Sequence, residues 1–342
     1  MCHCTLRVLM VTSDWLWNSW GGPAVFIARQ AEFLRREGVQ VDLFPFRGAR
    51  QPGNYAAAWQ EVQRRLDSGS YDLVHAQFGQ SGLTALPRRV PLVVTFRGDD
   101  LEGIIGESGR YIPAGWLLRL ISRTVARHAD ATIVVSEHMK RHLPRSVDAH
   151  VLPSGIDLNL FRPEPQDEAR RRLGLPLGER LVLFVGDPGV ARKRYRLAQA
   201  AVDLVSRTIP ARLVVGWEKP HQEIAALMNA CDALVCTSMQ EGSPNAVKEA
   251  MACNLPVVSV PVGDVPLRLA GVEGCELCAN ERVETIAAGI ERVLRRGGRS
   301  AGRKAVENLD ERLLTLRLID IYRSVLPSAK PLAFRPWFAR AS

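Results

Sequence analysis

The feature that most constrains this chain is an alternation of short apolar runs with amphipathic stretches, which begins near residue 7, breaks near 150 and begins again near 180. The runs at 7–12, 39–44, 73–76, 90–96 and 131–136 are rich in valine and leucine. Between them, 24–37, 56–66 and 116–129 carry apolar residues at helical spacing,. Gly38 follows the first of these as a left-handed helix stop,. Strands this short and this apolar, separated by helices, belong in a parallel sheet covered on both faces.

The break has its own character. Leu152-Pro153-Ser154-Gly155-Ile156-Asp157 reads as a turn, followed by Pro163-Glu164-Pro165 and a charged helix over 167–173. The pattern then restarts, with strands at 181–186, 211–215, 233–237 and 256–260. Helices are read at 197–207, 222–230, 244–253, 283–295 and 309–326. At roughly 100–200 residues per domain, 342 residues make two,. The expected division is 1–155, 156–326 and a tail, 327–342. The expected fold is α/β, two Rossmann-like doubly wound domains facing across a cleft, with ligands at the carboxyl ends of the strands.

Composition excludes several other classes. With 46% hydrophobic and 24% charged residues the chain is an ordinary globular protein, not a disordered or fibrous one,. No apolar run approaches the roughly 18 residues that span a bilayer, and residues 8–11 turn polar too soon for a secretory leader. The expected location is the cytoplasm. The net charge of +9 favours anionic partners such as phosphorylated small molecules, lipid headgroups or nucleic acid,. Seven cysteines include Cys275-Glu276-Leu277-Cys278 and Cys2-His3-Cys4. A zinc site needs about four ligands, so neither cluster suffices alone, and buried thiols are the expected state.

The chemistry concentrates in Cys236 to Ala252. A strand ends, a loop carries Glu241, and a helix begins near Ser243. Ser243 suits the helix cap and Pro244 its first position. The free N–H groups there favour an anion. Asn245 and Glu249 lie four apart on a polar face. A loop carboxylate, a helix N-terminus and a helix carboxylate suit a sugar hydroxyl, a phosphate and a ribose diol. The same residues also fit a capped surface helix.

This stretch resembles the donor-binding signature of family 4 retaining glycosyltransferases. Glu241 and Glu249 stand eight apart, followed by Ala-Met-Ala and Asn254-Leu255-Pro256-Val257-Val258. Gly21-Gly22-Pro23, Thr95-Phe96-Arg97-Gly98-Asp99, Pro153 to Asp157 and Phe161-Arg162-Pro163 extend the likeness over about 7–326. The resemblance implies a GT-B fold and a retaining transferase that moves a sugar from a nucleotide-sugar to a glycan, lipid-linked glycan or small molecule. Cell-surface polysaccharide or glycoconjugate biosynthesis is the implied setting. No metal or other cofactor, and no nucleic acid, is implied.

Carried onto this chain, Glu249 would hold the ribose and Glu241 the transferred sugar. The backbone of Gly242, Ser243, Pro244 and Asn245 would touch the sugar or the diphosphate. Lys193 would neutralise the leaving diphosphate. Gly21 and Gly22 would let the first loop approach phosphate or acceptor.

Three positions depart from the family pattern. Asp187 stands where Arg is usual, with Arg192 or Arg194 as candidates for the missing charge. Arg97 and Gln77 stand where histidines are usual on the acceptor side. Arg97 and Asp99 could form an ion pair of purely structural purpose. These departures motivate one alternative, a non-catalytic sugar-nucleotide-binding scaffold, beside a second, a GT-B sugar-nucleotide 2-epimerase. Trp116, Leu117, Leu118, Leu120 and Ile121, with Arg119, Arg123 and Arg127, could lie on an anionic membrane. Packing into the domain core is the expected arrangement. The tail around Trp337 has the same composition.

Overall fold

The computed structural model describes residues 6–13, 15–16, 22–23, 25–48 and 51–327. Residues 328–342 of the expected tail and Cys2-His3-Cys4 fall outside these. Among the described residues, eight strands lie before residue 152: β1 (Arg7–Thr12), β2 (Trp15–Leu16), β3 (Gly22–Pro23), β4 (Gln40–Pro45), β5 (Leu73–Gln77), β6 (Leu92–Phe96), β7 (Ala131–Val134) and β8 (His150–Val151). Five follow: β9 (Arg180–Val185), β10 (Ala211–Gly216), β11 (Ala233–Cys236), β12 (Val257–Ser259) and β13 (Glu276–Leu277).

The first sheet has the order β4-β1-β5-β6-β7-β8 and the second β10-β9-β11-β12-β13, every pairing parallel. β2 and β3 form a small antiparallel ladder of their own. Strands such as β5 and β6 are buried at every position, as a sheet covered on both faces requires,. In the second sheet the order reverses between β9 and β11. The loops leaving those two strands therefore border the crevice of a doubly wound sheet.

The terminal helix Glu311–Val325 packs back against the helix Val25–Arg36 of the first domain. Arg29 pairs with Glu311 at 2.9 Å, and Arg312 with Glu37 at 2.8 Å. His75 Nδ1 lies 2.7 Å from the hydroxyl of Tyr322, and its Nε2 2.8 Å from Thr95 Oγ1. Burial, reinforced by the Arg97 charge, pushes His75 down to about 3, so this tie is made by a neutral ring,.

One expectation is overturned. The helix Pro113–His128 buries Gly115, Ser122, Val125 and Ala126, while Trp116, Leu117 and Leu120 are 71%, 60% and 61% exposed. The reason is close approach: a Cβ on Gly115 would stand 2.5 Å from the amide nitrogen of Ile104. The helix docks through its small residues and turns its large apolar ones outward. Among the described residues, no helix is long and apolar enough to cross a membrane. Cys275 and Cys278 flank β13 as free thiols, both pushed up in pKa by burial.

Candidate functional site

The site is built from the loops that leave β9 and β11. After β9, Gly186 takes φ +142°, and the aliphatic stem of Lys193 lies over it, 3.6 Å from where a Cβ would stand. Asp187 closes the turn by accepting from the Gly189 amide at 2.8 Å. The loop ends in a 3-10 turn, Ala191–Lys193, and in Arg194, which is left-handed at φ 52°. It is stitched to the loop after β11: the Thr237 hydroxyl donates to the Lys193 carbonyl at 2.9 Å, and the Met239 amide to the Arg192 carbonyl at 2.8 Å.

Two cations converge on one carboxylate. Lys193 Nζ is 2.5 Å and Arg192 Nη1 3.3 Å from Glu241 Oε1, whose side chain is 12% exposed. Burial alone would push the Glu241 carboxyl up. Lys193 and Arg192 outweigh it and hold the group below its ordinary value,. Of the two candidates for the missing charge at 187, Arg192 reaches the cluster. Arg194 instead donates to the Thr237 carbonyl at 2.5 Å and pairs with Glu281.

The first domain closes over this loop. Gln240 Nε2 donates to Asp99 Oδ1 at 3.1 Å and to the Gly103 carbonyl at 2.9 Å. Asp99 Oδ2 faces Arg192 Nε at 3.8 Å. Gly242 has a plain steric role, since a Cβ there would lie 2.3 Å from the Arg97 carbonyl oxygen and 2.7 Å from Val135 Cγ2. Gly98, at φ +152°, lines the other side of the same contact.

The cap chemistry differs from expectation. The helix is Asn245–Ala252, so Pro244 occupies the cap and no side chain satisfies it. Ser243 Oγ donates instead to Asp264 Oδ2 at 2.9 Å, and that carboxylate also pairs with Arg268. Ser243 lies one residue before the cap, with its hydroxyl directed to the Asp264 carboxylate. Asn245 stands first in the helix, its Oδ1 buried without a hydrogen-bond partner.

Glu249 keeps different company from Glu241. It is 4% exposed and faces Arg29 Nη1 at 3.7 Å, while Arg29 Nη2 donates to the Gly155 carbonyl at 2.8 Å. Beside it is a residue that sequence reading passed over. Lys248 is fully buried and donates from Nζ to the Ser154 carbonyl at 2.9 Å. Burial outweighs the nearby Asp264 and lowers it to about 8.

The two acceptor-side departures are partners. Arg97 Nε and Nη2 both donate to Gln77 Oε1, at 3.0 and 2.6 Å, and Nη1 donates to Ser154 Oγ at 2.7 Å. Its guanidinium lies over Phe26, 4.7 Å from the ring centre. The Arg97–Asp99 pair that the sequence left open does not form: Arg97 goes to Gln77 and Asp99 faces the second domain. Asp100 shapes the loop instead, accepting from the amides of Gly79, Arg97 and Gly98 at 3.1, 3.1 and 2.9 Å. Gly22 lies in the small ladder, and Gly21 lies outside the described residues.

The comparisons agree with this architecture. The model of Glycosyltransferase Family 4 matches residues 20–160, and that of Glycosyl transferases group 1 matches 179–296. The chain is 28% identical over 268 residues to the teichuronic acid biosynthesis glycosyltransferase TuaC of Bacillus subtilis, covering 68% of this chain and 66% of that protein. That match spans just under two thirds of the relative's length. Against the D-inositol 3-phosphate glycosyltransferase of Mycobacterium tuberculosis, identity is 28% over an aligned length of 350, covering 80% of this chain and 71% of that protein. In structure, sucrose-phosphate synthase from Thermosynechococcus elongatus superposes with a TM-score of 0.76 at 19% identity, covering 93% of this chain and 98% of that one. Anabaena HepE in complex with UDP and glucose gives 0.68 at 16%, covering 94% and 100%. The fold is GT-B. The chain belongs to family 4 of the glycosyltransferases.

Proposed function

We propose that this protein transfers a sugar from a nucleotide-sugar to a hydroxyl of a glycan, lipid-linked glycan or small-molecule acceptor, with retention at the anomeric carbon, in the assembly of a cell-surface polysaccharide or glycoconjugate. The observation that carries this reading is the convergence of Lys193 and Arg192 on Glu241 at the reversal point of the second sheet. Two cations held over a strand-end crevice suit a diphosphate leaving group. Glu241 preorganises them, and it accepts from a sugar hydroxyl once a donor shares their charge. Glu249 holds the ribose, which requires its contact with Arg29 to open or to be shared. The UDP and glucose seen in HepE support a nucleotide-sugar donor.

On this reading the donor's own phosphate takes the acceptor proton, and the protein supplies position and charge. The C1–O bond to the diphosphate breaks as the C1–O bond to the acceptor forms on the same face. No metal is needed, since Lys193 and Arg192 supply the positive charge.

The test is a transfer assay with a panel of nucleotide-sugars and oligosaccharide, lipid-linked and polyol acceptors, with the product anomer read by NMR coupling constants. A product of the donor's own anomeric configuration is expected. An inverted product would overturn the retaining reading. A 2-epimerised nucleotide-sugar formed without acceptor would overturn the transferase reading.

A further inference from the structure

The outward face of the helix Pro113–His128 is unexplained by the transferase chemistry. Trp116, Leu117 and Leu120 stand at helical spacing and are each more than half exposed, and Tyr111 just before them is 59% exposed. Large apolar side chains grouped in this way mark a surface that meets something. Charge narrows what it meets. The helix carries Arg119, Arg123, Arg127 and His128 and no acidic residue. Arg119 lies over the ring of Trp116, 5.7 Å from its centre. The outward stripe is thus apolar at its first turns and basic further on.

We propose that this face docks on an anionic lipid bilayer. The tryptophan and leucines enter the headgroup–acyl boundary, and the arginines stay level with the phosphates. A protein partner of matching shape would need acidic groups around an apolar centre. A bilayer presents that pattern everywhere.

The position of the face gives the docking a use. Tyr111 and Arg119 both pack against Gly103, and the Gly103 carbonyl accepts from Gln240, next to Glu241. A bilayer on this face therefore lies beside the loop that carries Glu241, where an acceptor borne on a lipid can reach the cleft. That consequence rests on the transferase reading, whereas the docking itself does not.

The experiment is vesicle flotation of the full chain, with phosphatidylcholine alone and with phosphatidylglycerol mixed in. Binding is expected only to the mixed vesicles, and it should fall with added salt. Trp116→Ser with Leu117→Ser and Leu120→Ser should abolish it. Arg119→Gln with Arg127→Gln should weaken it by about tenfold or more. All five substituted positions lie on the helix surface, so thermal melts of the variants serve as the folding control. Equal binding to both vesicle types, or binding unchanged in the serine variant, would overturn the proposal. So would a dimer, seen by light scattering, that the serine substitutions dissolve. A transferase inactive on every acceptor but still floating with anionic vesicles would sink the catalytic reading and leave this one standing.

Discussion

Lys248 shows how a single side chain can be legible in type and illegible in place. A lysine in a helix beside a glutamate looks solvated. It is buried because the Pro153–Gly155 turn crosses above it and offers the Ser154 carbonyl. Its ordinary value of 10.5 falls to about 8 in the folded protein. Between those values the unfolded chain binds a proton that the folded one lacks, so stability rises with pH across that window, and the penalty is complete below about 8. Lys248→Met should therefore stabilise the protein by about 2 kcal/mol at pH 7, and the gain should shrink as denaturation is repeated from pH 8 to 10.5. Equal gains at both ends would mean that the folded and unfolded chains hold the same proton, so that burial does not lower Lys248. Glu241 and Lys193, by contrast, were singled out by the family resemblance, and the structure brings the two together at 2.5 Å.

The elements were legible to within a few residues wherever the apolar period was long, as in β1, β9 and the helix Val25–Arg36. The two-residue strands β8 and β13 were not, since two residues carry no period. The direction of the helix Pro113–His128 was misread because pattern gives a face without saying which neighbour covers it. The acceptor-side departures make sense only as a unit. Gln77 ends β5, Arg97 follows β6, and parallel pairing of those strands brings their ends together. A double-mutant cycle of Gln77→His and Arg97→His should show about 1–2 kcal/mol of coupling in stability. Additive effects would mean that the two departures are independent.

Across the whole molecule, the domains are joined by buried charge as well as by the linker. Arg29 stands between Glu249 and Glu311, one from the donor-side helix and one from the terminal helix, and is 8% exposed. No sequence period announces such a triad, because Arg29 stands more than 200 residues from both carboxylates. Arg29→Met strands two buried carboxylates, and burial already pushes Glu311 up. Urea denaturation should show a loss of about 3 kcal/mol or more. A loss below about 1 kcal/mol would show that the triad is solvated in solution and contributes little to holding the domains together.

The central claim is that the Lys193–Arg192–Glu241 cluster is where a nucleotide-sugar diphosphate binds. The most direct measurement is a thermal-shift screen of UDP-, GDP-, ADP- and dTDP-sugars, followed by calorimetric titration of the best donor into the parent, Lys193→Ala and Glu249→Ala. One donor family should raise the melting temperature. Its affinity should fall at least about tenfold in Lys193→Ala, the expected loss of one charge-assisted phosphate contact, and also in Glu249→Ala. Undiminished donor binding in Lys193→Ala, or no binding of any donor by folded parent protein, would contradict the account.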